Sequence, residues 1–385
     1  MEREQAVKFM QDLLRIMVQR QASDLFITAQ FPPALKIDGE IQAVTDRPFN
    51  EEQTAVLVRA IMNDRQSREF DATKELSFAI SPRGIGRFRV SAYLEQGRVG
   101  AVLRVINTDV PTLEKLGLPL ITHDIAMSKR GLVLVVGATG SGKSTTLAAM
   151  VRHRNENSRG HIVTIEDPIE YVHRHMGCIV TQRELGVDTE SWENALKNTL
   201  RQAPDVILIG EIREQTTMQY AVEFAETGHL CLSTLHANSA NQALDRIINL
   251  YPKEKRQQLL MDLSLNLRGM ISQRLLRKAS GEGRIAAMEI LINTPYVADL
   301  IFKGEVAQLK EVMARSRQAG MQTFDQHLFD LYEEKAITYE EALRNADSQN
   351  ELRLRIKLES KRSPQSFDQE IETLHLQDVD SGRPL

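Results

Sequence analysis

Gly137-Ala138-Thr139-Gly140-Ser141-Gly142-Lys143-Ser144 matches the pattern GxxxxGK[ST]. An apolar run at 132–136 precedes it and a helix-forming segment at 145–154 follows. Strand, loop and helix in that order are the context a phosphate-binding loop requires. The glycines let backbone N–H groups turn inward around phosphate oxygens, and the helix N-terminus adds its positive end. Lys143 then reaches the β and γ phosphates, Ser144 places its hydroxyl on Mg²⁺, and Thr145 completes the ATP-binding stretch. The competing reading is an accidental glycine-rich turn, which leaves the agreement of strand, lysine, hydroxyl and helix unexplained.

Outward from this loop, apolar runs at 132–136, 162–165, 206–209 and 230–235 alternate with helical segments. Such runs predict strands buried on both faces, as in a parallel sheet flanked by helices. Two of them end in acidic residues: Glu166-Asp167-Pro168-Ile169-Glu170 and Gly210-Glu211. Ligands of open α/β sheets bind beyond the carboxyl ends of the strands, so these carboxylates are candidates to hold Mg²⁺, order its waters or polarise an attacking water. Taken singly, each reads equally as a helix N-cap or a solvated loop charge. His229 and His236 bracket the run 230–235. His236 falls at the carboxyl end, where an imidazole can sense a γ phosphate, and a hydrogen-bonded boundary residue remains the alternative for both.

Residues 1–107 read as a small α+β domain with an initial amphipathic helix, strands near 24–28 and 34–37, a helix at 51–62 and a hairpin at 86–106. Residues 108–119, with two prolines and Gly117, read as a linker, and 120–347 as the α/β domain with carboxyl-terminal helices, including helical patterns at 257–276, 322–335 and 339–345. The stretch 348–385 reads as a charged, disordered tail, with a possible helix at 351–362.

The 385 residues are 42% apolar and 26% charged with a formal net charge of −4, a globular composition without the bulk positive charge of a nucleic-acid binder. Aromatics at 5% also argue against the stacking surface of a nucleic-acid motor. Cys178 and Cys231 form no CxxC pair, which argues against a disulfide framework or a zinc site and fits a reducing cytoplasm. No apolar stretch has signal-peptide or membrane-spanning character, so direct membrane insertion is not expected.

Four blocks, GATGSGKSTT, TIEDPIEY, ILIGEIR and TGHLCLSTLH, in this order resemble the secretion ATPase superfamily and, within it, the type IV pilus retraction ATPases of the PilT/PilU family. The resemblance implies a PAS-like amino-terminal domain followed by a RecA-like P-loop NTPase domain, assembled as a homo-hexamer. It implies that Glu170 orients the hydrolytic water, that Glu211 supports Mg²⁺, and that His229 and His236 sense nucleotide. Arg87 and Arg89, on one face of the first hairpin strand, and Arg104 on the second become candidates to reach phosphate, with a solvated hairpin face as the alternative for each.

Gln273-Arg274-Leu275-Leu276 continues without the four-cysteine module of assembly and type II secretion ATPases, which favours retraction. Thr294-Pro295-Tyr296-Val297-Ala298-Asp299-Leu300-Ile301 replaces the AIRNLI-like motif of PilT, which points toward PilU. The partners so implied are a PilT-like retraction ATPase and the inner-membrane pilus platform protein, at the cytoplasmic face of the inner membrane. Pilus assembly, type II secretion, or a nucleotide-binding regulatory subunit of a PilT motor are the alternatives.

Overall fold

The computed structural model describes residues 2–37, 39–106 and 108–362; the part of the expected tail at 363–385 lies outside them. The chain divides into two compact units. One comprises Met1–Thr112, Ala126–Arg130 and Leu147–Ser233, and the other Leu113–Ile125, Gly131–Thr146 and the chain from Thr234.

The first unit begins with the helix Arg3–Gln19, whose Met10, Leu14 and Met17 are buried at three- and four-residue spacing. An antiparallel six-stranded sheet follows: β1 (Asp24–Ile27), β2 (Ala34–Ile37), β3 (Glu40–Ala43), β4 (Glu75–Ile80), β5 (Arg87–Glu95) and β6 (Arg98–Ile106), in the order β3-β2-β1-β6-β5-β4. Alternation on β5 buries Phe88, Val90 and Ala92 and turns Arg87 and Arg89 to the other face. Helices Glu51–Ala60 and Asp64–Thr73 each start with a reciprocal capping box, Asn50 with Gln53 and Asn63 with Gln66, which satisfies two otherwise unpaired N–H groups per helix. Leu57 and Phe70 join the first helix and the sheet in one apolar core. This is the expected PAS-like α+β fold.

The same unit contains β8 (His161–Glu166), β9 (Ile179–Glu184), β10 (Val206–Ile209) and most of β11 (Leu230–Leu235). The pairs β9–β8, β8–β10 and β10–β11 are all parallel. Strands β10 and β11 are buried along their whole length, as expected for strands covered on both faces.

In the second unit, β7 (Gly131–Val136) pairs in parallel with β12 (Leu267–Arg277), and β12 pairs antiparallel with β13 (Arg284–Ile292). The helical pattern expected across 257–276 is corrected here. A helix occupies Arg256–Asn266 and β12 begins at Leu267. Leu267, Met270, Ile271 and Leu275 fall at i, i+3, i+4 and i+8, a spacing that suits a helix as well, and it is pairing on both sides that makes this segment a strand. Helices Phe324–Glu333, Tyr339–Asn345 and Gln349–Glu359, the last inside the stretch read as tail, pack with Leu276 and Ala287 of the hairpin in a second apolar cluster. Among the described residues, no helix is long and apolar enough to cross a membrane, and both cysteines are free and buried.

On that helical cover, His327 is buried, and its Nδ1 accepts the backbone N–H of Met288 on β13 at 2.9 Å. Burial pushes its pKa down from 6.5 to about 4. Between those values the unfolded chain binds a proton that the folded chain refuses, so stability falls as the solution is acidified. Asn at this position keeps an acceptor without the titration. Relative to His327→Asn, the wild type should lose about 2 kcal/mol of unfolding free energy between pH 7 and pH 5, read from urea unfolding at the two pH values.

Candidate functional site

Strand β7 ends at Val136 and the helix Lys143–Asn157 starts six residues beyond Gly137. Between them the loop is curled tightly: Ser141 donates its backbone N–H to the Ala138 carbonyl at 3.2 Å. Gly142 has φ +90°, and a Cβ there would lie 2.7 Å from Nε2 of Gln273. At Gly137 a Cβ would meet Ser141 Oγ at 2.3 Å and the Gln273 carbonyl at 2.7 Å. Both positions therefore demand glycine for space, and Gly142 for backbone conformation as well.

Lys143 is buried, and its ammonium donates to the carbonyls of Gly137 and Ala138, each at 2.9 Å. The Nδ1 of His236, at the end of β11, lies 3.5 Å from the same Nζ. Thr139 and Gly140 are exposed at the loop's tip, Ser144 and Thr145 are half-buried at the start of the helix, and Ser141 Oγ is buried without a hydrogen-bond partner. An inward-turned loop, a lysine at its mouth and an unpartnered hydroxyl fit a phosphate ligand. Beside the loop, a cleft of about 250 Å³ is lined by Thr139, Ser141, Asn238, Arg274 and Arg284.

One residue to which the sequence reading gave no role in the site shapes this loop. Gln273, on β12, is buried; its Oε1 accepts from Thr146 Oγ1 and its Nε2 donates to the Ser141 carbonyl, both at 2.7 Å. The next residue, Arg274, stacks 3.9 Å from the centre of the Phe324 ring and bonds the Asn345 carbonyl and Asp347 at 2.6 Å. The glutamine had no signal beyond its place in a strand that was read as helix.

In the first unit the strand-end acids lie in contrasting surroundings. Glu211 follows β10 and Gly210, and its Oε2 receives the Arg213 guanidinium at 2.7 and 2.8 Å. Glu170 is exposed. Glu166, by contrast, is drawn inward: Thr164 Oγ1 donates to its Oε1 at 2.6 Å and Gln182 Nε2 at 3.2 Å. Burial raises its pKa to about 7, with the Glu170 charge adding to the rise and these hydrogen bonds opposing it. Strand β9, which the sequence reading also missed, supplies Gln182 and the buried Glu184.

The candidate arginines separate. Arg87 Nη2 lies 3.6 Å from Glu184 Oε2, and its Nε is buried without a partner. Arg104 donates from Nε to the buried Asp24 at 2.7 Å, while Arg89 sits opposite Arg104 in the β5–β6 ladder. His229, just before β11, has its Nδ1 3.0 Å from Thr227 Oγ1 and 3.2 Å from the Phe224 carbonyl, at the end of the preceding helix.

Removing the Gln273 amide strands a buried hydroxyl and a buried carbonyl, each at a desolvation cost. Gln273→Ala should lower the unfolding free energy by about 2–4 kcal/mol, measured by denaturant unfolding of the purified chain.

The model of the family described as type II/IV secretion system protein matches residues 2–349. The "Type IV pilus ATPase PilU" of Pseudomonas aeruginosa is 60% identical over 348 residues, covering 90% of this chain and 91% of that protein. The "Type IV pilus retractation ATPase PilT" of the same organism is 41% identical, covering 87% and 97%. A crystal structure of the pilus retraction motor PilT with bound ADP superposes with a TM-score of 0.83 at 39% identity, covering 89% of this chain and 98% of that one. The Legionella pneumophila ATPase DotB follows with a TM-score of 0.76 at 26% identity, covering 87% and 94%. The chain belongs to the type II/IV secretion system protein family, beside the pilus ATPases PilU and PilT.

Proposed function

We propose that this chain is an ATP-hydrolysing motor subunit that powers type IV pilus retraction and twitching motility together with a PilT-like ATPase. The observation that carries the nucleotide chemistry is Lys143, held over the glycine loop by two of the loop's own carbonyls with the His236 imidazole beside it. Those carbonyl bonds are interactions a triphosphate can replace with stronger charge-assisted ones. The likeness to PilU and PilT over about nine-tenths of the chain supports the pilus assignment.

In this reading the backbone of residues 137–145 and Lys143 bind the phosphates. Ser144 and Glu211 would hold Mg²⁺, the latter partly through water. The ion would neutralise charge on the phosphate oxygens. Glu170, exposed on its loop, orients the attacking water as a general base. His236 senses the γ phosphate, and Arg213, now on Glu211, is the group that must yield when the carboxylate takes up its role. Arg87, Arg89, Arg104 and His229 remain candidates for completing or sensing the site.

Assembly as a homo-hexamer, docking on the inner-membrane platform protein from the cytoplasmic side, and division into domains at 1–107, 120–347 and a tail belong to the same proposal. A ring of such subunits converts phosphate contacts into rigid-body motion passed to a central partner.

Steady-state hydrolysis by the purified full chain tests the chemistry. Lys143→Ala and Glu170→Gln should each lower kcat by at least about 10²-fold, and Glu170→Gln should still bind ATP. Wild-type turnover in both variants would sink the assignment. Deleting the gene should leave surplus surface pili and abolish twitching; bald cells would indicate assembly instead.

A further inference from the structure

Gln182 and Glu184 stand two residues apart on β9 and so share one face. That face meets the loop running from Glu166 to His173, at whose exposed crest sits Glu170. Gln182 Nε2 donates to Glu166 Oε1 at 3.2 Å and to the Tyr171 carbonyl at 2.9 Å, and its Oε1 accepts the His173 N–H at 2.8 Å. Glu184 Oε2 accepts the Ile169 N–H at 3.4 Å. The loop is thus held at 166, 169, 171 and 173, on both sides of residue 170.

The second attachment has a long reach. Glu184 is buried, and the cation nearest it is Arg87 of β5, at 3.6 Å, with the Arg89 charge acting on it as well. A buried carboxylate needs a nearby positive charge or donors to stay ionised. Arg87 thereby bears on the residue that holds Ile169, the immediate neighbour of Glu170. The contact ties the PAS-like sheet to the loop bearing the proposed general base.

We propose that Gln182 and Glu184 are positioning residues for Glu170, and that Arg87 acts on hydrolysis through Glu184. This rests on the reading of Glu170 as the group that orients water. A general base must stand within hydrogen-bond reach of the water it activates, and an ångström of misplacement is costly in rate. The clamp does not touch the phosphate loop's own hydrogen bonds, so it should govern turnover and leave nucleotide affinity alone.

The test compares kcat, KM for ATP and fluorescent-ADP affinity across full-length Gln182→Ala, Glu184→Ala, Glu184→Gln, Arg87→Ala and the Arg87→Ala/Glu184→Gln double variant, with Glu170→Gln alongside. Gln182→Ala and Glu184→Ala should lose about 10- to 100-fold in kcat with KM within about twofold. Glu184→Gln, which keeps an acceptor for Ile169, should recover most of what Glu184→Ala loses. Arg87→Ala should cost less in the Glu184→Gln background than in the wild type, because the charge it serves is gone.

Near-normal kcat in both alanine variants, with Glu170→Gln inactive, would overturn the clamp while leaving Glu170 in place. Additive Arg87 and Glu184 effects would overturn the coupling to the amino-terminal sheet. Loss of ADP affinity in step with kcat would show a general structural role and overturn positioning. An active Glu170→Gln would instead remove the reading of Glu170 itself.

Discussion

A loop meant to bind phosphate through backbone N–H groups has few side chains of its own with which to hold its shape; here Lys143 supplies bonds to the Gly137 and Ala138 carbonyls. Its glycines, needed for space at Gly137 and Gly142, also widen the range of backbone conformations open to the unfolded loop. The constraint that answers this is the Gln273 side chain, which spans from the Thr146 hydroxyl on the helix to the Ser141 carbonyl on the loop. One neutral amide closes the mouth of the curve at both ends, from a neighbouring strand that is itself paired on both edges. Because Gln273 and Arg274 are consecutive, that strand also ties the loop to the helices around Phe324 and Asp347.

The acidic groups follow a complementary rule. Carboxylates drawn inward carry donors and cations that offset their burial: Glu166 has Thr164 and Gln182, Glu184 has Ile169 and Arg87, and Glu289 takes the Ala240 N–H and the Ser272 hydroxyl. Glu170, the carboxylate assigned to chemistry, is exposed on a loop those buried groups restrain. A charge meant to act on water gains from staying solvated, and its precision has to come from elsewhere. Glu166, half-buried on Thr164 and Gln182, and the buried Glu184, on the Ile169 N–H, are tied into the hydrogen bonds that hold the loop.

Much of the fold was legible because burial writes itself into composition. Strands β7, β8, β10 and β11 are short apolar runs bounded by loops, and β5 of the hairpin shows clean alternation; these strands and the hairpin's bounds were read within a residue or two. Strand β12 was misread as helix since Leu267 to Arg277 is apolar enough to suit either period, and only its two partners decide the matter. The strand–loop–helix setting of residues 137–144 was legible for a different reason. Glycine, lysine and hydroxyl stand there at the fixed offsets that phosphate binding would require, so the motif carries its own chemical rationale.

The residues that hold the site were not legible, and the cause is physical. Strand β9, Ile-Val-Thr-Gln-Arg-Glu, is half-polar because one face meets a hydrogen-bonded loop in place of an apolar layer. A face that binds backbone N–H and C=O groups wants amides and carboxylates, which in isolation look like solvent-facing residues. Gln182 and Gln273 perform the same task on two different loops, each satisfying a donor and an acceptor with one uncharged side chain. Such a group does not titrate near neutrality and matches no acid–base motif. Its meaning lies wholly in what the fold brings against it, so a strand that seems too polar for a buried sheet is itself the signal that a loop is being held there.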